Sequence, residues 1–349
     1  MIARKKKGPM QRNDPKAHRA LNHLAKALFS SLLLGLVLWK VPVQTAWHHL
    51  RDLSLTALIS IVFLSFAFPA VAAMRWRRVL HHLDAPSTWS PLLLDHLVAS
   101  TYNMLLPTSI GGDVVRAWRC GRRIDNPAHA WSTVLFERLV GIIALALLSV
   151  PGLMMAPGAM RTLGWVVAAV VAGAVTILLV APAPLRWAGK LLASRAPAVA
   201  GLGDNIATDL SGPLSRLAPR LETMLWSLLY QAVGLGILLV VAVDWGQSEA
   251  LGAIVGGVPL ALILTMIPIS IAGLGVRESL FVVLLGKFGL ESSQSLSLAL
   301  IWLASSLLLA LSGAVVIAIE GGGKKRKWNG RRYPSFTMGG DDGAWNPLR

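Results

Sequence analysis

Six stretches of this chain are each long and apolar enough to cross a bilayer, and no other property limits its fold so strongly. They run from about Leu24 to Val43, Leu53 to Met74, Trp131 to Met155, Leu163 to Ala181, Met224 to Val243 and Leu296 to Ile319. A helix needs roughly 20 apolar residues to span the hydrocarbon core. Lipid offers no partner to a free backbone amide, so such segments must be helical. Only 14% of the 349 residues are charged and 54% are hydrophobic, against about 25% charged in soluble domains. The expected fold is an all-α integral membrane protein.

The formal charge of +16 does not point to nucleic acid, because the basic residues are divided among short segments beside the apolar spans. With the N-terminus in the cytoplasm, 27 of the 33 Lys and Arg fall on the cytoplasmic side and 4 on the other. The cytoplasmic set comprises the N-terminal tail, Arg75, Arg77 and Arg78, the segment Arg116 to Arg123, the loop Pro182 to Glu222 and the C-terminal tail. By the positive-inside rule both termini are expected in the cytoplasm. The basic N-terminus precedes a span with no small-residue cleavage site, which reads as a retained tail.

This count requires two further apolar regions, Leu92 to about Trp118 and Leu251 to about Phe288, each to begin and end on one side. Each is therefore a hairpin. The arm from Leu92 to Leu106 gives about 22 Å of helix, short of a core of roughly 30 Å, so the first hairpin is expected to be re-entrant. The second is longer and fits a re-entrant hairpin or a pair of spans. The expected architecture is six transmembrane helices plus two re-entrant hairpins, or eight to ten helices if the hairpins span. Residues 1–23 form a basic tail, 24–319 one transmembrane domain with a cytoplasmic loop at 182–222, and 320–349 a basic tail expected to be disordered. A short amphipathic helix is expected within the 182–222 loop.

The stretch PTSIGGDVVR, Pro107 to Arg116, has an echo in PISIAGLGVR, Pro268 to Arg277, with six of ten positions identical. Both copies fall at the tip or second arm of a hairpin. Two units of span, span, hairpin, span result, at about 24–155 and 163–319. The second starts on the opposite side from the first, the inverted-repeat plan of many transporters, which place substrate near the midplane.

Pro107 and Pro268 interrupt a helix, and Gly111, Gly112, Gly273 and Gly275 permit a sharp restart. The new helix begins with free amides and a positive dipole end, which attract anions. Asp113 is placed to cap it, and Arg116 shares its face. Arg277, followed by Glu278, repeats the arrangement. A guanidinium suits bidentate phosphate binding. Arg116 also fits a plain positive-inside role, whereas Arg277 lies on the side poor in positive charge.

Glu137 and Arg138 interrupt the third span. Intramembrane ionisable groups are costly and mark functional sites, although a position near the cytoplasmic end also permits snorkelling. Asp95 and His96 read as interfacial, and the tryptophans near span ends, Trp76 and Trp131 among them, as interface anchors. The lone Cys120 excludes an internal disulfide, and the histidines lack metal-ligand spacing. No metal and no cofactor are implied.

Taken together, Asn103, Pro107, Gly111, Gly112, Asp113 and Arg116, then Glu137 and Arg138, then Pro268, Ser270, Gly273, Gly275, Arg277 and Glu278 resemble the motifs of the lysylphosphatidylglycerol synthase transmembrane family. That family comprises the flippase-like domain of the multiple peptide resistance factor and stand-alone relatives, some associated with hopanoid or glycolipid pathways. Full-length members add a soluble domain that aminoacylates the lipid, and none is expected here after the last span. The resemblance implies translocation of a polar-headed lipid between leaflets of a bacterial inner membrane, without enzymatic activity. It implies membrane lipids as partners, whether anionic phospholipid, aminoacylated lipid or glycolipid. A homo-oligomer is compatible with it. Asn103, Ser109 and the residues just named would line the site, with Pro107, Pro268 and Gly275 as its helix breaks. The competing readings are an integral-membrane phosphatase using Ser109 or Ser270 on a polyprenyl pyrophosphate, and a scaffold for a lipid-modifying enzyme.

Overall fold

The computed structural model describes residues 43–106, 111–180, 203–266 and 275–322, with Gly35 and Trp39. Among these residues every regular element is a helix: α1 (Val43–Arg51), α2 (Leu55–His81), α3 (Trp89–Leu105), α4 (Gly111–Arg123), α5 (Pro127–Met155), α6 (Ala159–Val180), α7 (Gly203–Ser211), α8 (Leu217–Asp244), α9 (Ser248–Thr265), α10 (Val276–Gly286) and α11 (Ser292–Gly322). A single turn of 3-10 helix, Pro213–Ser215, leads into α8. Five of them, α2, α5, α6, α8 and α11, are long and apolar enough to cross a membrane. They correspond to the last five of the six apolar stretches. The first, from Leu24, lies almost wholly outside the described residues, as do both tails and residues 181–202.

Local chemistry sets the helix starts. The Ser54 hydroxyl accepts the Ala57 amide at 3.2 Å ahead of α2, and the Asn126 side chain accepts the His129 amide at 3.1 Å with Pro127 in the first turn of α5. Both satisfy an amide that the helix itself cannot. Two boundaries depart from expectation. Helix α2 continues past Met74 to His81, so Arg75, Arg77 and Arg78 are helical rather than loop residues. Helix α8 begins at Leu217, inside the expected 182–222 loop. The short helix expected in that loop is α7. It is docked on α5, with Ile206 and Leu210 buried and Asp209 accepting hydrogen bonds from Ser132 at 2.7 Å and His129 at 2.8 Å.

Helices α2 and α8 run antiparallel along their length. Ser54 meets Asp244 at one end, Phe68 packs on Gly234 in the middle, and His82 meets Glu222 at 2.8 Å at the other. Helices α3 and α4 form one antiparallel hairpin, and α9 and α10 a second. Each hairpin packs on a long helix distant in sequence: α3 on α11, and α9 on α5. Both crossings depend on a glycine. A Cβ on Gly313 would lie 1.9 Å from the Leu97 carbonyl oxygen of α3, and one on Gly152 would lie 2.3 Å from the Gly256 amide of α9. Small residues of this kind let membrane helices approach closely. The 161-residue interval from Arg116 to Arg277 also carries Gly152 onto Gly313, and it carries the starts of α2, α3, α4 and α5 to within four residues of those of α8, α9, α10 and α11.

The buried apolar residues divide in the same way. One cluster, including Trp76, Leu80, Leu92, Ala117 and Phe136, surrounds the α3–α4 hairpin. Another, including Leu238, Ile254, Phe281, Leu285 and Leu298, surrounds the α9–α10 hairpin.

Candidate functional site

Where α4 leaves its hairpin tip it meets α5 and α2 in a chain of charges. Glu137, whose side chain is fully buried, accepts from Arg75 Nε at 3.0 Å through one oxygen and from Arg116 at 2.8 Å through the other. Arg116 Nε donates in turn to Asp113 at 2.8 Å, and the second Asp113 oxygen is bound by Arg138. The order is Arg75, Glu137, Arg116, Asp113, Arg138, three guanidiniums for two carboxylates. Glu137 and Arg138 do not pair with each other, as expected of neighbours about 100° apart on a helix. Glu137 lies ten residues into α5, about 15 Å from its start, which is deeper than snorkelling explains for a side chain with no exposure.

Aromatic rings complete the walls. The Arg116 guanidinium sits 4.9 Å from the Trp76 ring centroid and that of Arg75 sits 4.8 Å from Tyr230. Such contacts strengthen when they are shielded from water. Trp76 is held by a 2.8 Å hydrogen bond to Thr133, and Arg75 also donates to Ser227 at 3.2 Å. Arg75 and Trp76 were missed in the sequence, where they read as a flanking charge and an interface anchor. A signal was available: Arg75 shares a helical face with Ala72, Val79 and the other buried residues of α2, while Arg77 and Arg78 are exposed.

Of the other expected residues, Asn103 accepts the Gly112 amide at 2.8 Å, so one amide thought open to an anion is occupied. Gly112 has no room for a side chain, since a Cβ would lie 2.3 Å from the Ala99 carbonyl oxygen, and Gly111 is buried beside it. At the second hairpin Gly275 adopts φ 78° and its amide donates to Glu278 at 2.7 Å. Arg277 bonds the other Glu278 oxygen at 2.9 Å. Both side chains are buried. Pro107, Ser109, Pro268, Ser270 and Gly273 lie outside the described residues.

Among their charged residues, the two hairpins share the arginine and differ in its partners. The interval that takes Arg116 to Arg277 takes Asp113 to Leu274, Glu137 to Leu298 and Arg138 to Ala299. Of the five linked charges, only Arg116 has a charged counterpart in the second copy.

A second charge cluster holds the far end of α4. Asp95, fully buried, accepts from Arg119 at 2.6 Å and Arg123 at 2.7 Å, and Arg119 forms a bidentate pair with Glu320 of α11 at 2.8 and 2.9 Å. Asp95 is therefore a core residue and not an interfacial one, and His96 packs edge-on against Trp76. Cys120, the single cysteine of the chain, is buried next to this latch. Glu320→Gln is expected to speed thiol labelling of Cys120 about fivefold, the effect of losing one partly exposed ion pair. An unchanged labelling rate would show that Glu320 does not hold α4 in place.

Among the described residues no group of three or more His, Cys, Asp or Glu is placed to hold a metal ion. No curated protein and no solved structure matches the chain. The model of the lysylphosphatidylglycerol synthase TM region, in contrast, matches residues 23–313, and with most of its length covered the protein belongs to that membrane-protein family.

Proposed function

We propose that the protein moves a polar-headed lipid, phosphate-bearing or aminoacylated, between the leaflets of a bacterial inner membrane. The observation that carries this reading is the chain of five charges on α2, α4 and α5, of which Arg75, Glu137 and Arg116 are buried. Buried charges are costly and are kept in membrane segments chiefly where they serve a pathway. An excess of guanidiniums suits a phosphate head group, and Asp113 and Glu137 are exchangeable partners that the arginines regain when the lipid leaves. Ser109, Ser270, Asn103 and the hairpin glycines complete the site.

In this reading both hairpins are re-entrant, and the halves are inverted repeats. The antiparallel α2–α8 pair, the reciprocal α3–α11 and α9–α5 contacts and the single interval relating both halves support that arrangement. The end bearing His82 and Glu222 faces the cytoplasm, as do both termini. Arg116 serves the cytoplasmic half of the path, and Arg277, with Glu278 as its resting partner, serves the other half.

The test is reconstitution in liposomes with head-group-labelled phosphatidylglycerol and lysylphosphatidylglycerol, and in parallel with a polyprenyl pyrophosphate, while inorganic phosphate is monitored. Transfer between leaflets without phosphate release is expected. No transfer above protein-free liposomes would overturn the proposal, and phosphate release from a polyprenyl pyrophosphate would replace it with the phosphatase reading.

A further inference from the structure

A separate site lies on the outer face of α2. Its exposed apolar residues Leu55, Leu58, Ile59, Val62, Phe63 and Phe66 follow the three- and four-residue steps of one helical face, the pattern of a surface turned toward lipid. The same steps continue through Ala70 and Met74 to Arg77 and His81, at the C-terminal end of α2. There the stripe runs into a cavity of about 710 Å³. Met74, Arg77, Arg78 and His81 line it from α2, and Ser87 and Thr88 from the turn into α3.

The lining has the chemistry of a head-group site. Arg77 has no ion-pair partner among the described residues, while Arg78 is shared with Glu222 at 3.4 Å. The Ser87 and Thr88 hydroxyls add donors for phosphate oxygens. Asp84, the one carboxylate in the lining, is an acceptor for head-group hydroxyls. Arginine clusters at the membrane surface attract anionic lipid, and here the cluster sits in a concavity whose open side continues an apolar helix face.

We propose that this cavity binds one anionic glycerophospholipid, with its phosphate on Arg77, Arg78 and His81 and its acyl chains along the Phe63–Phe66–Met74 face of α2. The site is distinct from the buried charge chain. Arg75 points inward to Glu137, whereas Arg77 faces out.

The test is lipid binding by native mass spectrometry on delipidated protein, with phosphatidylglycerol, phosphatidylcholine and soluble glycerol phosphate as probes. Phosphatidylglycerol is expected to bind in preference to phosphatidylcholine. Arg77→Gln is expected to weaken it about fivefold, the effect of one basic residue at an anionic surface, and Arg77→Lys is expected to retain most of it. Arg122→Gln removes an exposed arginine at the same end of the bundle, stacked on Trp118 at 5.2 Å, and is expected to leave binding unchanged. Equal losses for Arg77→Gln and Arg122→Gln would reduce the effect to diffuse surface charge and overturn the site. Full competition by glycerol phosphate would overturn the assignment to a lipid. The readout is binding, so it stands or falls separately from transport between leaflets.

Discussion

Glu137→Ala is expected to destabilise the folded protein by about 3–5 kcal/mol, the range for removing one partner of a buried ion pair. The side chain has no exposure and, among the described residues, links Arg75 to Arg116. Without it two guanidiniums face each other in a low-dielectric interior, with Ser227 and Asp113 as hydrogen-bond partners and the Tyr230 and Trp76 rings beside them. Chemical unfolding in detergent micelles measures the loss, and an unchanged midpoint would refute the burial. The loss need not mean that the network exists for stability. Replacing a buried charge group by apolar residues of similar volume is often neutral or stabilising, so Arg75→Met, Arg116→Met and Glu137→Met combined are expected to recover most of it. That triple variant should fold and fail to move lipid. If it moves lipid normally, the cluster is structural.

The second large effect is steric. Gly313→Ala is expected to cost about 3 kcal/mol, the upper part of the range for overpacking, because its Cβ would collide with the Leu97 carbonyl oxygen and Thr101 Oγ1. The Thr101 hydroxyl is itself committed to the Ala310 carbonyl at 2.7 Å, so it cannot swing away without losing that bond. Gly152→Ala should behave alike, since it meets the Gly256 and Gly252 backbone. Gly173→Ala on α6 has nothing within 4 Å and is expected to stabilise by about 1 kcal/mol through helix propensity. Thermal unfolding of the three variants separates these outcomes. Equal tolerance at all three positions would contradict the close crossings between halves.

The long helices were legible because a bilayer dictates their length, and the hairpins because Pro107, Gly112, Pro268 and Gly275 break patterns that would otherwise continue. The positive-inside count misjudged two of its members. Arg75 and Arg116 were tallied as flanking charges, and both are buried. The count weighs residues by position along the chain, whereas their burial depends on Glu137, which lies 62 residues from Arg75. The amides at the helix starts were likewise expected to be open. Asn103 and Glu278 occupy two of them, which moves the burden of anion binding onto the guanidiniums. Trp76 was hidden for a related reason, since a tryptophan near a span end resembles an anchor until its neighbours are known.

The central claim is that Arg116 and Arg277, in different halves and with different partners, serve one lipid path. The direct measurement is the initial rate of head-group-labelled phosphatidylglycerol transfer in proteoliposomes carrying Arg116→Ala or Arg277→Ala, each checked for folding. Loss of one charged hydrogen-bonding group is worth about 1.5–3 kcal/mol, so each variant is expected to slow transfer by roughly tenfold or more. Unchanged transfer in Arg277→Ala, with Arg116→Ala inactive, would contradict the two-sided site and confine the path to the first hairpin.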